Sequence, residues 1–149
     1  MASNVKLRLG NLFDGPADLI VLPCSTAGTI TGFVARNLVN YRIPHPRVGM
    51  RLGTVEFMPC EGAENIAQFV AFAASVARND STPQAIHDIG RLIGAFTLEH
   101  PEVRAIAAPL LGAGAGGLHS EKVVVALREG FSGSASEERR VSTTLRHPA

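Results

Sequence analysis

Two short stretches of this sequence carry residue types suited to holding an anion. One is GAGAGGL, Gly112 to Leu118, which follows an apolar run and precedes a segment of helical spacing. Glycine lacks a Cβ, so a ligand can approach its backbone closely and φ can be positive. Successive N–H groups in such a turn form an anion-binding nest, and a following helix adds its N-terminal amides and positive dipole end. A bare strand-to-helix connection needs fewer glycines. The other stretch is CSTAGTITGF, Cys24 to Phe33, which mixes Ser25, Thr26, Thr29 and Thr31 with Gly28 and Gly32. Such hydroxyls and amides hydrogen-bond ribose hydroxyls and phosphate oxygens. Thr29 could instead cap the helix that follows, which is compatible with binding. Two phosphate-friendly loops on one rim suggest a ligand with two linked phosphates.

Other glycine-loop chemistries fit less well. Gly112, Gly114 and Gly117 satisfy the G-x-G-x-x-G spacing of dinucleotide-binding folds. That motif opens the first βαβ unit, whereas here most of the chain precedes it, and Glu137 and Glu138 come before the next candidate strand instead of ending it. A P-loop is excluded because the glycines run into Leu118 and His119 with no lysine. His45 and His87 lack metal-ligand spacing. The sequence therefore leads us to expect neither a cofactor nor a metal. Asp14, Asp18, His45, His87 and His119 read as solvated surface groups.

The loops need elements to position them. Val5 to Leu9 alternates as a strand, and Leu19 to Pro23 is a short apolar run of the kind buried on both faces. Ile30, Phe33, Val34, Leu38 and Tyr41 have helical spacing, after which YRIPHPRVGMR breaks the pattern. Thr54 to Met58 and Phe69 to Ala74 read as strands. A helix capped by Thr82 starts at Pro83, lines up Ile86, Ile89, Ile93 and Phe96, and stops at His100 and Pro101. Ala105 to Leu111 reads as a buried strand. Ser120 is placed to cap a last helix with Val123, Val124, Leu127 and Phe131 on its apolar face. Ser132 to Glu138 reads as a polar loop, and Val141 to Leu145 as a final β-branched strand. Strands separated by helices imply a largely parallel sheet covered on both faces, with ligands beyond the strands' carboxyl ends.

Composition narrows the classes. A chain of 149 residues suits one domain spanning 1–149. No stretch approaches the roughly 20 apolar residues of a membrane span. MASNVKLRLG lacks the apolar core of a signal peptide, so the expected location is cytoplasmic and no membrane partner is expected. A formal net charge of +1 announces no nucleic-acid surface, and sequence-specific nucleic-acid binding is not expected. A single tyrosine likewise argues against a stacking platform for poly(A) or poly(ADP-ribose). Cys24 and Cys60 form no CxxC pair and read as small buried hydrophobes. Oligomeric state is not legible.

Three stretches resemble the macro domain, the module that binds ADP-ribose. GNLFDGPADLIVLPCS resembles that family's opening turn and second strand. STAGTITGFVARNL resembles its first ligand loop and helix, closest to the branch reading N-T-x-G-x-M-G-K-G-I-A. IAAPLLGAGAGGL resembles the second loop, I-A-x-P-x-L-G-x-G-x-G-G-L, and is the specific match. The resemblance spans nearly the whole chain. It implies a three-layer α/β/α sandwich around a central mixed, largely parallel sheet. It also implies ADP-ribose, free or on a macromolecule, as partner. By position Asn11 and Leu12 would sit at the adenine, with Asn11 replacing the family's aspartate. Ser25, with Thr26 beside it, would face the distal ribose. Gly28, Thr29, Ile30, Thr31, Gly32 and Phe33 would wrap the diphosphate from one side. Leu111, Gly112, Ala113, Gly114, Ala115, Gly116, Gly117 and Leu118 would do so from the other.

The family's catalytic groups have no counterpart. The branch with a lysine nucleophile would place it at Gly32 and its aspartate partner at Gly116, and another hydrolase branch would place an aspartate at Val34. None of these side chains attacks carbon or moves a proton. The sequence thus favours a reader or sequestering module for ADP-ribose or a related adenine diphosphate nucleotide. The alternative is an ADP-ribosyl hydrolase with an atypical site, using a ligand phosphate to orient water.

Overall fold

The computed structural model describes residues 4–9, 17–46, 49–60, 67–78, 80–109, 111, 117–134 and 142–147. Its elements run β1 (Asn4–Leu9), β2 (Leu19–Ser25), α1 (Gly32–Tyr41), β3 (Val55–Pro59), β4 (Phe69–Val76), α2 (Pro83–Glu99), β5 (Ala105–Ala108), α3 (Ser120–Ser134) and β6 (Ser142–His147). The strands form one six-stranded sheet in the order β1-β6-β5-β2-β4-β3. Every neighbouring pair is parallel except β3 with β4, so the sheet is mixed and largely parallel.

The central strand β2 explains the layering. Successive side chains of a strand point to opposite faces. Leu19 and Val21 enter one apolar cluster with Ile86, Ile89 and Ile93 of α2 and Val123, Leu127 and Phe131 of α3. Ile20, Leu22 and Cys24 enter the other, with Val34 and Leu38 of α1. A strand covered on both faces reads as an unbroken apolar run because neither parity meets water. The result is the three-layer α/β/α sandwich that the resemblance implied. Cys24 and Cys60 are buried and form no disulfide, as expected. Among the described residues, no helix is long and apolar enough to cross a membrane.

The two helices of the double layer approach closely at two glycines. A Cβ on Gly90 would run into the Leu127 carbonyl oxygen, and one on Gly130 into that of His87. At the far edge, Phe96 stacks on Phe57 at 4.1 Å and on His100 at 4.0 Å between ring centroids.

Asp18 departs from the expectation of a solvated surface group. Its Oδ2 accepts from the amides of Arg104 and Ala105, both at 2.8 Å. Its backbone carbonyl accepts from Gln68 and Phe69, and its amide donates to Ala105. One residue thus ties the start of β2 to the starts of β4 and β5.

Several boundaries differ from the sequence expectation. β2 runs past Pro23 to Ser25, and β4 past Ala74 to Val76. β5 stops at Ala108 because Pro109, with no N–H, cannot continue a ladder. α1 begins at Gly32, and Thr31, not Thr29, is its cap, accepting from the Val34 amide at 3.3 Å. Ser120 is the first residue of α3 and not a preceding cap, and Ser132 to Ser134 continue that helix instead of opening a loop. Thr82 caps α2 as expected, with Pro83 in its first turn and His100 closing it.

Candidate functional site

Strands β2, β4 and β5 run parallel and adjacent, so the loops that follow them leave from the same edge of the sheet. At that edge lies a cavity of about 480 Å³. This is the size of a small-molecule pocket. Its wall is built by Pro23 to Ala27 at the end of β2, Thr29 to Thr31 in the loop, and Ser75, Val76 and Arg78 at the end of β4.

The β2–α1 loop is held by its own polar groups. Gly28 donates to the Ser25 carbonyl at 3.0 Å, and the Ser25 amide donates to the Thr29 carbonyl at 3.0 Å. Gly28 has φ of 82°, a conformation glycine adopts without penalty. Ser25 Oγ accepts from the amides of Ala27 at 3.2 Å and Thr29 at 3.0 Å. Those bonds occupy both lone pairs, so Ser25 donates its own proton to Thr29 Oγ1 at 2.6 Å. The Thr29 hydroxyl hydrogen is then free to point outward. Thr31 Oγ1 is committed to the α1 cap. Of the loop hydroxyls expected to meet a ligand, those of Ser25 and Thr31 are thus engaged inside the protein.

What the loop offers a ligand is chiefly backbone and positive charge. Among the described residues the amides of Thr31 and Gly32 have no acceptor. The first turn of α1 carries no acidic residue. Instead Arg36 folds back over it: a Cβ on Gly32 would lie 3.4 Å from Arg36 Nη1. A cation beside a helix N-terminus adds to the dipole's positive end, which favours an anion there.

The β4 side was not singled out from the sequence. Pairing of β2 with β4 steps from Cys24↔Ala74 to Ser25↔Val76, so Ser75 is the extra residue of a β-bulge. Ser75 is fully buried, and its Oγ has no hydrogen-bond partner. Beyond it Ala77 and Asp80 exchange both backbone hydrogen bonds, at 2.8 and 2.9 Å, across a two-residue turn. Arg78 in that turn has φ of 51°, a left-handed conformation that costs a side-chain-bearing residue about 1–2 kcal/mol. It is exposed at the cavity wall and has no acidic partner among the described residues. Bulges next to sites re-aim side chains. The arginine immediately after an apolar strand was the one signal the sequence held.

The cavity's ionisable side chains, among the described residues, are Cys24 and Arg78. Burial, and then the negative charge of Glu56, push the Cys24 thiol from 9.0 up to about 11. The thiol therefore stays protonated near neutrality. Val34, at the position of one family aspartate, is packed in the core. No group of three or more His, Cys, Asp or Glu stands together as metal ligands among the described residues.

Of the remaining sequence-predicted residues, Ile30 is half-buried against the α1 cluster. Leu111 is a core residue of the opposite cluster, so it presents no side chain to a ligand. Gly117 is exposed with φ of 74°, and Leu118 packs on the core beside it. Asn11, Leu12 and residues 112–116 lie outside the described residues, as does the Phe33 side chain.

No family model matches the chain, and neither does any curated protein. Solved structures do. The macrodomain of Mycobacterium tuberculosis DarG is similar at a TM-score of 0.76 and 16% identity, covering 97% of this chain and 98% of that one. The macrodomain of Thermus aquaticus DarG gives 0.72 and 18%, covering 99% of each. A Trypanosoma brucei macrodomain solved in complex with ADP-ribose gives 0.70 and 16%, covering 96% of this chain and 63% of that one. At such identities the likeness speaks for the fold alone: this chain has the macrodomain fold.

Proposed function

We propose that this chain binds ADP-ribose or a related adenine diphosphate nucleotide in the β2–β4 cavity, as a reader or sequestering module. The observation that carries the reading is the anion-ready mouth of that cavity. Unpartnered amides of Thr31 and Gly32, an α1 first turn without acid, and Arg36 folded over it all favour negative charge. The Trypanosoma brucei macrodomain of the same fold was solved with ADP-ribose bound. Residues 112–117 follow β5, the strand next to β2, and their glycine-rich sequence suits the opposite rim of a pyrophosphate.

Binding without turnover is favoured because the cavity's described lining holds no carboxylate, imidazole or lysine to act as general acid, base or nucleophile. Calorimetry with ADP-ribose, NAD, ADP and AMP tests the ligand: affinity should require the diphosphate. Incubation with mono-ADP-ribosylated protein and nucleic acid tests the chemistry. Release of ADP-ribose that disappears in a folded Gly116→Glu variant would overturn the binder reading in favour of hydrolysis.

A further inference from the structure

We propose that the outward face of α3, centred on Val125, is a docking surface for a second copy of this chain, the two α3 helices packing antiparallel about a twofold axis. The surface lies on α3 and the start of α2, outside the lining of the β2–β4 cavity, so the inference does not depend on the nucleotide reading.

This face is apolar at its centre and charged around it. Val125 is 54% exposed, on the side of α3 away from the buried Val123, Leu127 and Phe131. Beside it lies a groove of about 480 Å³, walled by Pro83 at the start of α2 and by Glu121, Lys122, Val125, Ala126 and Glu129 of α3. Glu121, Lys122 and Glu129 are exposed and have no ion-pair partner among the described residues. One exposed valine needs no explanation by itself. The arrangement of charge around it is what identifies the occupant.

That arrangement is complementary to itself. A helix turns about 100° per residue, which puts Lys122 and Glu129 on one side of Val125 and Glu121 and Arg128 on the other. A twofold axis at Val125, perpendicular to α3, reverses the helix direction but keeps each side facing its own copy. Lys122 then meets the partner's Glu129, Glu121 meets the partner's Arg128, and symmetry makes each pair twice. Val125 packs on the partner's Val125 across the axis, next to the groove that Pro83 and Ala126 line. Complementary charge of this kind fixes register and suppresses wrong partners. Val39, 75% exposed on α1, is the contrast. Arg36 and Arg42 flank it and α1 has no acidic residue, so the same operation there brings only like charges together. Contact through one helix pair buries less than the roughly 1,600 Å² of a standard interface, so the dimer is weak and concentration-dependent.

Sedimentation equilibrium of the full chain over a wide concentration range tests this, with a thermal melt of each variant beside it. The wild-type weight-average mass should rise toward twice the monomer mass as concentration increases. Lys122→Glu sets carboxylate against the partner's Glu129 at two places and should weaken association about tenfold or more. Adding Glu129→Lys reverses both members of each pair and should return association to within about twofold of wild type. Both residues are exposed, so the melting temperature should change little in either variant. Val125→Asp should abolish association. A wild-type chain that stays monomeric at every concentration overturns the inference. So does a dimer that is indifferent to Lys122→Glu, or one that the double variant fails to restore.

Discussion

Replacing Ser25 with alanine separates a residue that organises the site from one that touches the ligand. Its Oγ makes three hydrogen bonds, at 3.2, 3.0 and 2.6 Å, all within residues 25–29 and exposed. Exposed bonds fall at the low end of net worth, about 0.5 kcal/mol each, so the variant loses about 1.5 kcal/mol. For a domain of this size that lowers the melting temperature by about 3–6 °C. The same free energy reappears in binding, because a loop no longer preorganised must be ordered by the ligand. Affinity for ADP-ribose should then fall about tenfold. ADP should lose as much, since the organised loop leads into the α1 amides, which would face the diphosphate that both ligands carry. Thermal shift and calorimetry on the purified protein read both quantities, and Ser25→Thr, which keeps the oxygen, should restore most of each. A lowered melting point with both affinities within twofold of wild type would refute the reasoning. Loss for ADP-ribose alone would mean that Ser25 contacts the distal ribose directly.

Other perturbations test the frame. Gly130→Ala should destabilise the fold by about 1–3 kcal/mol in urea melts, although alanine favours helices, because the methyl would meet the His87 carbonyl across the helix pair. Asp18→Ala strands two amides and should cost about 1.5–3 kcal/mol. Ligand affinity should survive that change, because the cavity lies at the other end of β2, about 20 Å away. Cys24 predicts a pH effect. Its thiol is raised from 9.0 to about 11 in the folded protein, so its contribution is fully present below pH 9 and is lost between pH 9 and 11. Chemical-denaturation midpoints should be flat up to pH 9 and then fall, and fall less in Cys24→Ala.

The sequence was most legible where burial imposes a period. The stripe Ile86, Ile89 and Ile93 and the pair Thr82–Pro83 located α2 to within a residue, because a helix face and its cap are local choices. It was least legible where pairing is not local. Pro23 reads as the end of β2, yet the strand continues to Ser25. The reason lies in β5, which among the described residues pairs with β2 at Leu19 and Ile20 alone, so at Pro23 the edge on that side has no ladder to break. β4 was cut short at Ala74 because Ser75 carries little strand preference, while the sheet, not its propensity, holds it. Ser132 to Ser134 look like a loop but continue α3 just after the buried Phe131. The same non-locality hid half the cavity wall. Nothing in the order of the chain says that the end of β4 lies beside the end of β2, so Ser75 and Arg78 passed as a connection.

The engagement of the loop hydroxyls decides what the β2–α1 loop can offer. Ser25 and Thr31 spend their oxygens fixing the β2–α1 turn and starting α1. That commitment aims the Thr31 and Gly32 amides, whose donor strength depends on geometry and not on a titrating side chain. Arg36 places a guanidinium over the same turn. Attack on a glycosidic carbon needs a group that changes protonation or forms a bond, and glycine at position 32 provides neither. The binding reading proposed above therefore rests on backbone geometry and fixed charge: a committed Ser25, an α1 first turn without acid, and Arg36 over it.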